Sequence, residues 1–188
     1  MPFWLWIFLI LTGTLFVLKM AYVLCTAAAL PATQGALYVS TTRTRIAAFI
    51  DAVPMQKGQL LVDLGCGDGR VLRQAWQKYN VKAIGFEVNL AAFLKAQVLS
   101  IGLKEVEIRR KNFWSQNLAA ADVIFCYLYP DVMQKLSTKL KTELKPGTVV
   151  VSCNFSIPGF KPIRVLRPEG SLHNDPLYIY RTYNPISE

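Results

Sequence analysis

"LLVDLGCGDGR", residues 60–70, decides the fold. Its first five residues form an apolar run broken only by Asp63, the pattern of a strand buried inside a sheet. Gly65, Gly67 and Gly69 follow at alternate positions, and Arg70 to Tyr79 then reads as a helix. Glycines between a strand and a helix allow a tight turn and close backbone approach to a ligand. The spacing is G-x-G-x-G, not the G-x-G-x-x-G of dinucleotide binding. The turn also carries Asp63 and Asp68. Helix N-termini attract anions, so acids here disfavour a pyrophosphate. They suit a ligand with a cation at that end.

Outward from this turn, strands and helices alternate. A helix is expected over Thr44–Val53, with Ile46, Phe49 and Ile50 on one face. Strands are expected at Leu60–Leu64, Val81–Phe86, Glu105–Arg109, Asp122–Tyr127 and Thr148–Cys153, with helices at Arg70–Tyr79, Ala91–Ile101 and Asp131–Leu144. Val132, Leu136, Leu140 and Leu144 give the last helix an apolar stripe, with Asp131 as its expected N-cap. Ile163–Leu166 and Leu177–Tyr183 read as an antiparallel hairpin at a sheet edge. The expected fold is α/β: a doubly wound, mostly parallel, Rossmann-like sheet of seven strands with a C-terminal hairpin.

Two further signals stand at strand ends. Glu87 in "GFEVN" ends the second strand, where an acid can accept from both ribose hydroxyls of a nucleoside. Asn112 and Phe113 in "KNFW" follow the third strand, placed to bond an adenine edge and to cover its face. A nucleoside with a cation at its other end describes S-adenosylmethionine.

With these segments in view the sequence resembles the class I S-adenosylmethionine-dependent methyltransferases. More narrowly it is similar to the small seven-strand protein lysine methyltransferases. That group includes a broad-specificity archaeal enzyme and membrane-anchored mitochondrial enzymes acting on the adenine nucleotide translocase and the ATP synthase c subunit. The resemblance runs from about Tyr38 to Arg181 and is carried by "YVSTT", "LVDLGCGDGR", "GFEVN", "RRKNFW", "YLYPDV" and "VVSCNFSIPGFKP". It implies that Asp63, Gly65, Gly67 and Glu87 hold the cofactor, with Cys66 between the glycines counted in the same set, and that Asn112 and Phe113 meet adenine. Ser40, Asn112 and Asn154 depart from residues common in relatives. The implied acceptor is an accessible lysine on a protein, integral membrane proteins included.

"CYLYPD", residues 126–131, stands where the fourth strand meets a helix. Tyr127 and Tyr129 can attract a cation over their rings and accept from an amine, and Pro130 removes a backbone donor. The competing reading is that both tyrosines only fill the strand end. The resemblance favours the catalytic reading for Tyr127, Tyr129 and Pro130. Adenine and cytosine methyltransferases show an Asn/Asp-Pro-Pro-aromatic corner or a catalytic cysteine. "CYLYP" is not the former, and Cys126 falls too early for the latter. Acceptors on RNA, a lipid headgroup or a small amine, and a non-catalytic adaptor, remain the alternatives.

The chain has 188 residues and a net charge of +9, and Lys19 is the only charged residue before Pro31. The basic remainder favours anionic partners, or serves only solubility; nucleic acid is not expected on charge alone. Cys25, Cys66, Cys126 and Cys153 are widely spaced and His173 is the single histidine. That pattern points to buried thiols in a reducing compartment and to no metal site. Residues 1–30 read as a transmembrane anchor, 31–58 as a connector with a leading helix, and 59–188 as the methyltransferase domain. A cleaved signal peptide would want a basic start and a shorter apolar core. Lys19, Arg43 and Arg45 follow the apolar run, so the positive-inside rule puts the domain in the cytoplasm.

Overall fold

The computed structural model describes residues 2–29, 41–168 and 175–183. Two helices, α1 Phe3–Ala29 and α2 Arg43–Ala52, precede β1 Leu60–Leu64, α3 Arg70–Tyr79, β2 Lys82–Phe86, α4 Leu90–Leu99, β3 Val106–Arg109, β4 Val123–Cys126, α5 Met133–Glu143 and β5 Val149–Cys153, which alternate except that a 3₁₀ turn takes the place of a helix between β3 and β4. Two further strands follow, β6 Arg164–Leu166 and β7 Leu177–Arg181. The sheet order is β3-β2-β1-β4-β5-β7-β6. β1 to β5 are parallel, β7 runs antiparallel to β5, and β6 antiparallel to β7. The order reverses between β1 and β4. Ligands of such sheets bind at that switch point, outside the carboxyl ends of the strands.

Strand alternation divides the core in two. Leu61, Phe125 and Val151 face Ile46 and Phe49 of α2, Leu72 of α3 and Ala96 of α4. Val62, Ile124 and Val150 face Leu136 and Leu140 of α5, with Tyr180 of β7. α2, grouped with the connector on sequence grounds, thus shares the core of the sheet. Cys66, Cys126 and Cys153 are buried free thiols. Residues 31–40 of the expected connector, Ser40 among them, and His173 lie outside the described residues.

β1 and α3 have the bounds expected from sequence, and the other elements shift by a residue or two. One reading is corrected. Asp131 does not cap the fifth helix: Tyr129 is the N-cap of a 3₁₀ turn over Pro130–Val132, and α5 begins at Met133. Pro130 imposes its φ at the first position of that turn, where a missing N–H does no harm. Asp131 is exposed inside the turn, where its charge complements the helix dipole without capping.

α1 is 27 residues long, and its segment Phe3–Leu24 is apolar and long enough to cross a membrane. The Thr12 and Thr14 hydroxyls donate to backbone carbonyls one turn earlier, at 2.9 and 2.8 Å, so both are satisfied within the helix. α1 is in contact with α4.

Candidate active site

All three glycines of the first turn have left-handed backbones, with φ of 87° at Gly65, 56° at Gly67 and 74° at Gly69. Only glycine adopts these without strain, so the loop cannot be built from other residues. The Gly65 and Cys66 N–H groups both donate to the Phe86 carbonyl at 3.0 and 2.9 Å. Gly67 N–H donates to Glu87 Oε2 at 2.8 Å, and Asn89 N–H to Glu87 Oε1 at 2.8 Å. Each Glu87 oxygen therefore keeps acceptor capacity for one more donor. Burial raises the Glu87 carboxyl above its ordinary value, against the pull of these N–H groups.

The two acids of the turn have different fates. Asp68 is chelated by Arg70, with Nε to Oδ1 at 2.8 Å and Nη2 to Oδ2 at 2.7 Å, and Lys95 approaches at 3.3 Å. The Arg70 hydrogen bonds hold its pKa down at about 2. Asp63 is buried, and among the described residues nothing donates to it. Burial pushes its carboxyl well up, and the charges of Glu87 and Asp68 add to the push. A buried carboxylate facing only like charge calls for a cationic donor. Of the two acids named from sequence, only Asp63 is left for a cofactor cation.

Asp63 opens onto a shallow cleft that Gly65, Gly67, Thr41, Phe125 and Tyr127 also line. Asp63 and Phe125 are register partners across β1 and β4, and Tyr127 lies two residues further along. The Tyr127 phenol oxygen accepts from Asn154 Nδ2 at 3.1 Å, and the Arg45 guanidinium lies 5.6 Å from its ring centre. Arg45 is buried and paired with Asp175. Asn154 has a φ of 67°, and its Oδ1 is buried without a partner among the described residues.

Asp63, Gly65, Cys66, Gly67 and Tyr127 thus meet at one opening, with Glu87 bonded to its loop. The Cys66 side chain turns inward onto Gly85. Asn112 and Phe113 are half-buried beyond β3; Asn112 Oδ1 caps the Trp114 N–H at 3.1 Å, leaving its amide hydrogens free to donate to a ring nitrogen. Tyr129 is 37% exposed and Pro130 is exposed, outside the cleft lining. Sequence reasoning missed Arg45, whose signal was a basic residue one turn before Phe49 on the buried face of α2. It read Asn154, after the fifth strand, as a residue lining the same opening, but did not give its bond to Tyr127.

The carboxyl-end cleft, the glycine turn and the unpaired Asp63 fit S-adenosylmethionine, and the sequence matches the ANTKMT methyltransferase domain over residues 63–164. The chain belongs to that methyltransferase family. A protein-lysine N-methyltransferase of Saccharolobus islandicus is 33% identical over 76% of this chain and 91% of its own length. The adenine nucleotide translocase lysine N-methyltransferase of Mus musculus is 31% identical over 69% of this chain, which spans 57% of that protein. Among solved structures, an RNA methyltransferase from Salinibacter ruber, in complex with S-adenosylhomocysteine, is similar at a TM-score of 0.73 and 28% identity, covering 80% of this chain and 97% of that one. The methyltransferase uses S-adenosylmethionine.

Proposed function

We propose that this methyltransferase transfers methyl groups to lysine amines of proteins and that α1 anchors it in a membrane. One observation carries the reading: the unpaired Asp63 carboxylate and the Tyr127 phenol line one cleft at the switch point between β1 and β4. The archaeal and mouse relatives, both lysine methyltransferases by name, support the acceptor.

When bound, the cofactor supplies an electrophilic methyl group on a sulfonium. Asp63 receives its ammonium, the backbone of Gly65, Cys66 and Gly67 gives it room, and Glu87 accepts from its ribose. Asn112 and Phe113 flank the adenine. At the other side, Tyr127, Tyr129 and Pro130 receive the lysine. A free lysine amine has a pKa of about 10.4 and must lose its proton to attack. Desolvation at the cleft lowers that value, and the tyrosine rings and oxygens orient the amine. Because Asn154 already donates to Tyr127 and Arg45 lies over its ring, Tyr127 is a fixed wall of the opening and exposed Tyr129 is the adaptable one. Holding the amine in line for displacement supplies much of the rate.

The anchor reading rests on α1, long and apolar enough to span. Lys19, near the C-terminal end of the span, and Arg43 beyond it support a domain on the cytoplasmic side. Arg45 drops out of that argument because it is buried against Asp175. An integral membrane protein is then a convenient substrate.

A second reading, methylation of RNA, is favoured by the Salinibacter ruber relative and by the net charge of +9. Against it, net charge alone does not single out nucleic acid: Lys78, Lys95, Arg109, Lys139 and Lys145 each pair with a carboxylate, and the +9 excess is carried by other bases. Tyr129→Phe and Tyr127→Ala should cut turnover on a lysine acceptor by about tenfold or more, while cofactor affinity in calorimetry stays within about twofold. If neither changes turnover, the corner is packing alone.

A further inference from the structure

Helices on the surface of a soluble domain turn polar faces to water. α2 exposes Arg43, Thr44 and Asp51, α3 exposes Gln77 and Lys78, and α5 exposes Gln134, Lys135, Thr138 and Lys141. α4 does the reverse. Its fully buried residues are two alanines, Ala92 and Ala96, and its outward face carries Leu94, Val98 and Leu99 beside Lys95 and Gln97. Leu94 is 52% exposed, Val98 64% and, just past the helix end, Ile101 77%. Their spacing of four and three makes one continuous stripe, and Leu99, 46% exposed, broadens it. An apolar stripe of this kind marks a surface that is covered in use.

We infer that the outward face of α4 rests on the lipid bilayer as a second membrane contact beside α1. The inference rests on the reading of α1 as a membrane anchor. α1 is in contact with α4, so the stripe lies on a helix that touches the one read as the anchor. At the usual rise, the 27 residues of α1 reach roughly 40 Å, about 10 Å more than a hydrocarbon core. That excess leaves a stretch of α1 outside the core, at the level where a domain helix can lie along the interface. Interfacial helices bury an apolar face at the boundary of headgroups and acyl chains. Exposed Lys104, three residues past Ile101, sits where anionic headgroups would meet it. The N-cap of α4 is Asn89, whose backbone N–H holds the Glu87 carboxylate, so the helix that carries the stripe begins beside the cofactor loop. The contact therefore fixes the distance between the active site and the bilayer surface.

The test uses the full chain with Cys25→Ser, since Cys66, Cys126 and Cys153 are buried. Single cysteines replace Leu9 in α1, Val98 in α4 or Thr138 on the outward face of α5. Each is labelled with an environment-sensitive dye and reconstituted into phosphatidylcholine–phosphatidylglycerol vesicles. The expected result is a blue shift and quenching by brominated lipid at Leu9 and Val98, with aqueous iodide quenching only Thr138. Lipid contact at Leu9 with iodide quenching at Val98 overturns the α4 contact and leaves the anchor standing. Iodide quenching at Leu9 removes both. Shielding of Val98 from both quenchers means that protein, a second copy or the substrate, covers the stripe, which also overturns the inference.

Discussion

The side-chain amide of Asn154 donates to the phenol oxygen of Tyr127 across 3.1 Å, joining the end of β5 to the end of β4 at the mouth of the cleft. Asn154 sits at a φ of 67°, a backbone region that asparagine tolerates better than most residues. Residue type and conformation are therefore matched to that bond.

Asn154→Ala should lower stability by about 1–2 kcal/mol, from the lost hydrogen bond and the strained backbone. It should also cut kcat by roughly tenfold while cofactor affinity holds, because Tyr127 loses its brace. Asn154→Gly keeps the backbone relaxed and removes only the amide. It should recover stability but not turnover. Denaturant unfolding and steady-state kinetics on both variants check this.

Asp63→Asn should act oppositely on stability and binding. Removing a buried carboxylate that faces Glu87 and Asp68 relieves repulsion, so the cofactor-free protein should melt at a higher temperature. The same change removes the partner for a cofactor cation. Affinity for S-adenosylmethionine should fall about tenfold or more, at least ~1.4 kcal/mol. Thermal melts and calorimetry on one preparation read both effects.

The pH dependence follows from the same group. Asp63 has a raised pKa in the fold, so between its ordinary value and the raised one the folded state holds more protons than the unfolded state. Its contribution is fully present below the ordinary aspartate value and is lost as pH rises through the raised one. Glu87 acts in the same sense. Asp68, held at about 2, acts in the other: its contribution is present above the ordinary aspartate value and is lost as pH falls toward 2. The stability of the cofactor-free wild type minus that of Asp63→Asn should therefore decline as pH rises from about 4, while wild-type cofactor affinity rises over the same span. Denaturant titrations at stepped pH measure the first and calorimetry the second.

Gly85 tests how the loop is supported. A Cβ there would lie 2.5 Å from both Cys66 Sγ and Leu72 Cδ1. Gly85→Ala must push Cys66, and with it the glycine turn. It should cost about 1–3 kcal/mol and weaken cofactor binding together. A loss of stability in urea with unchanged calorimetric affinity would show that the turn moves independently of β2.

Much of the fold was legible because its signals are local. The apolar run Leu60–Leu64 and the glycines after it set β1 and α3 to the residue, and strand–helix alternation gave the parallel sheet. Asp131 misled because Asp before an apolar stripe usually caps, whereas Pro130 opened a 3₁₀ turn first. The placement of Asp63 and Glu87 beside the glycine turn was legible, because position at a strand end carries that signal. It was not legible where the role depends on a distant partner. Arg45 reads as a solvated helix residue until Asp175 is brought beside it. Asp68 reads as a ligand acid until Arg70 and Lys95 close on it. The helix over Ala91–Ile101 was legible but its apolar outward stripe was not, because periodicity does not say which apolar face meets the sheet.

The central claim is that a lysine amine enters the cleft beside Tyr127. The direct measurement is transfer from S-adenosylmethionine carrying a labelled methyl group to a mixture of membrane proteins, lipid and RNA, followed by mass spectrometry of the labelled species. The account predicts label on lysine side chains of protein, lost with Tyr129→Phe. Label recovered in RNA nucleosides or in lipid headgroups, with protein lysines unlabelled, would contradict it.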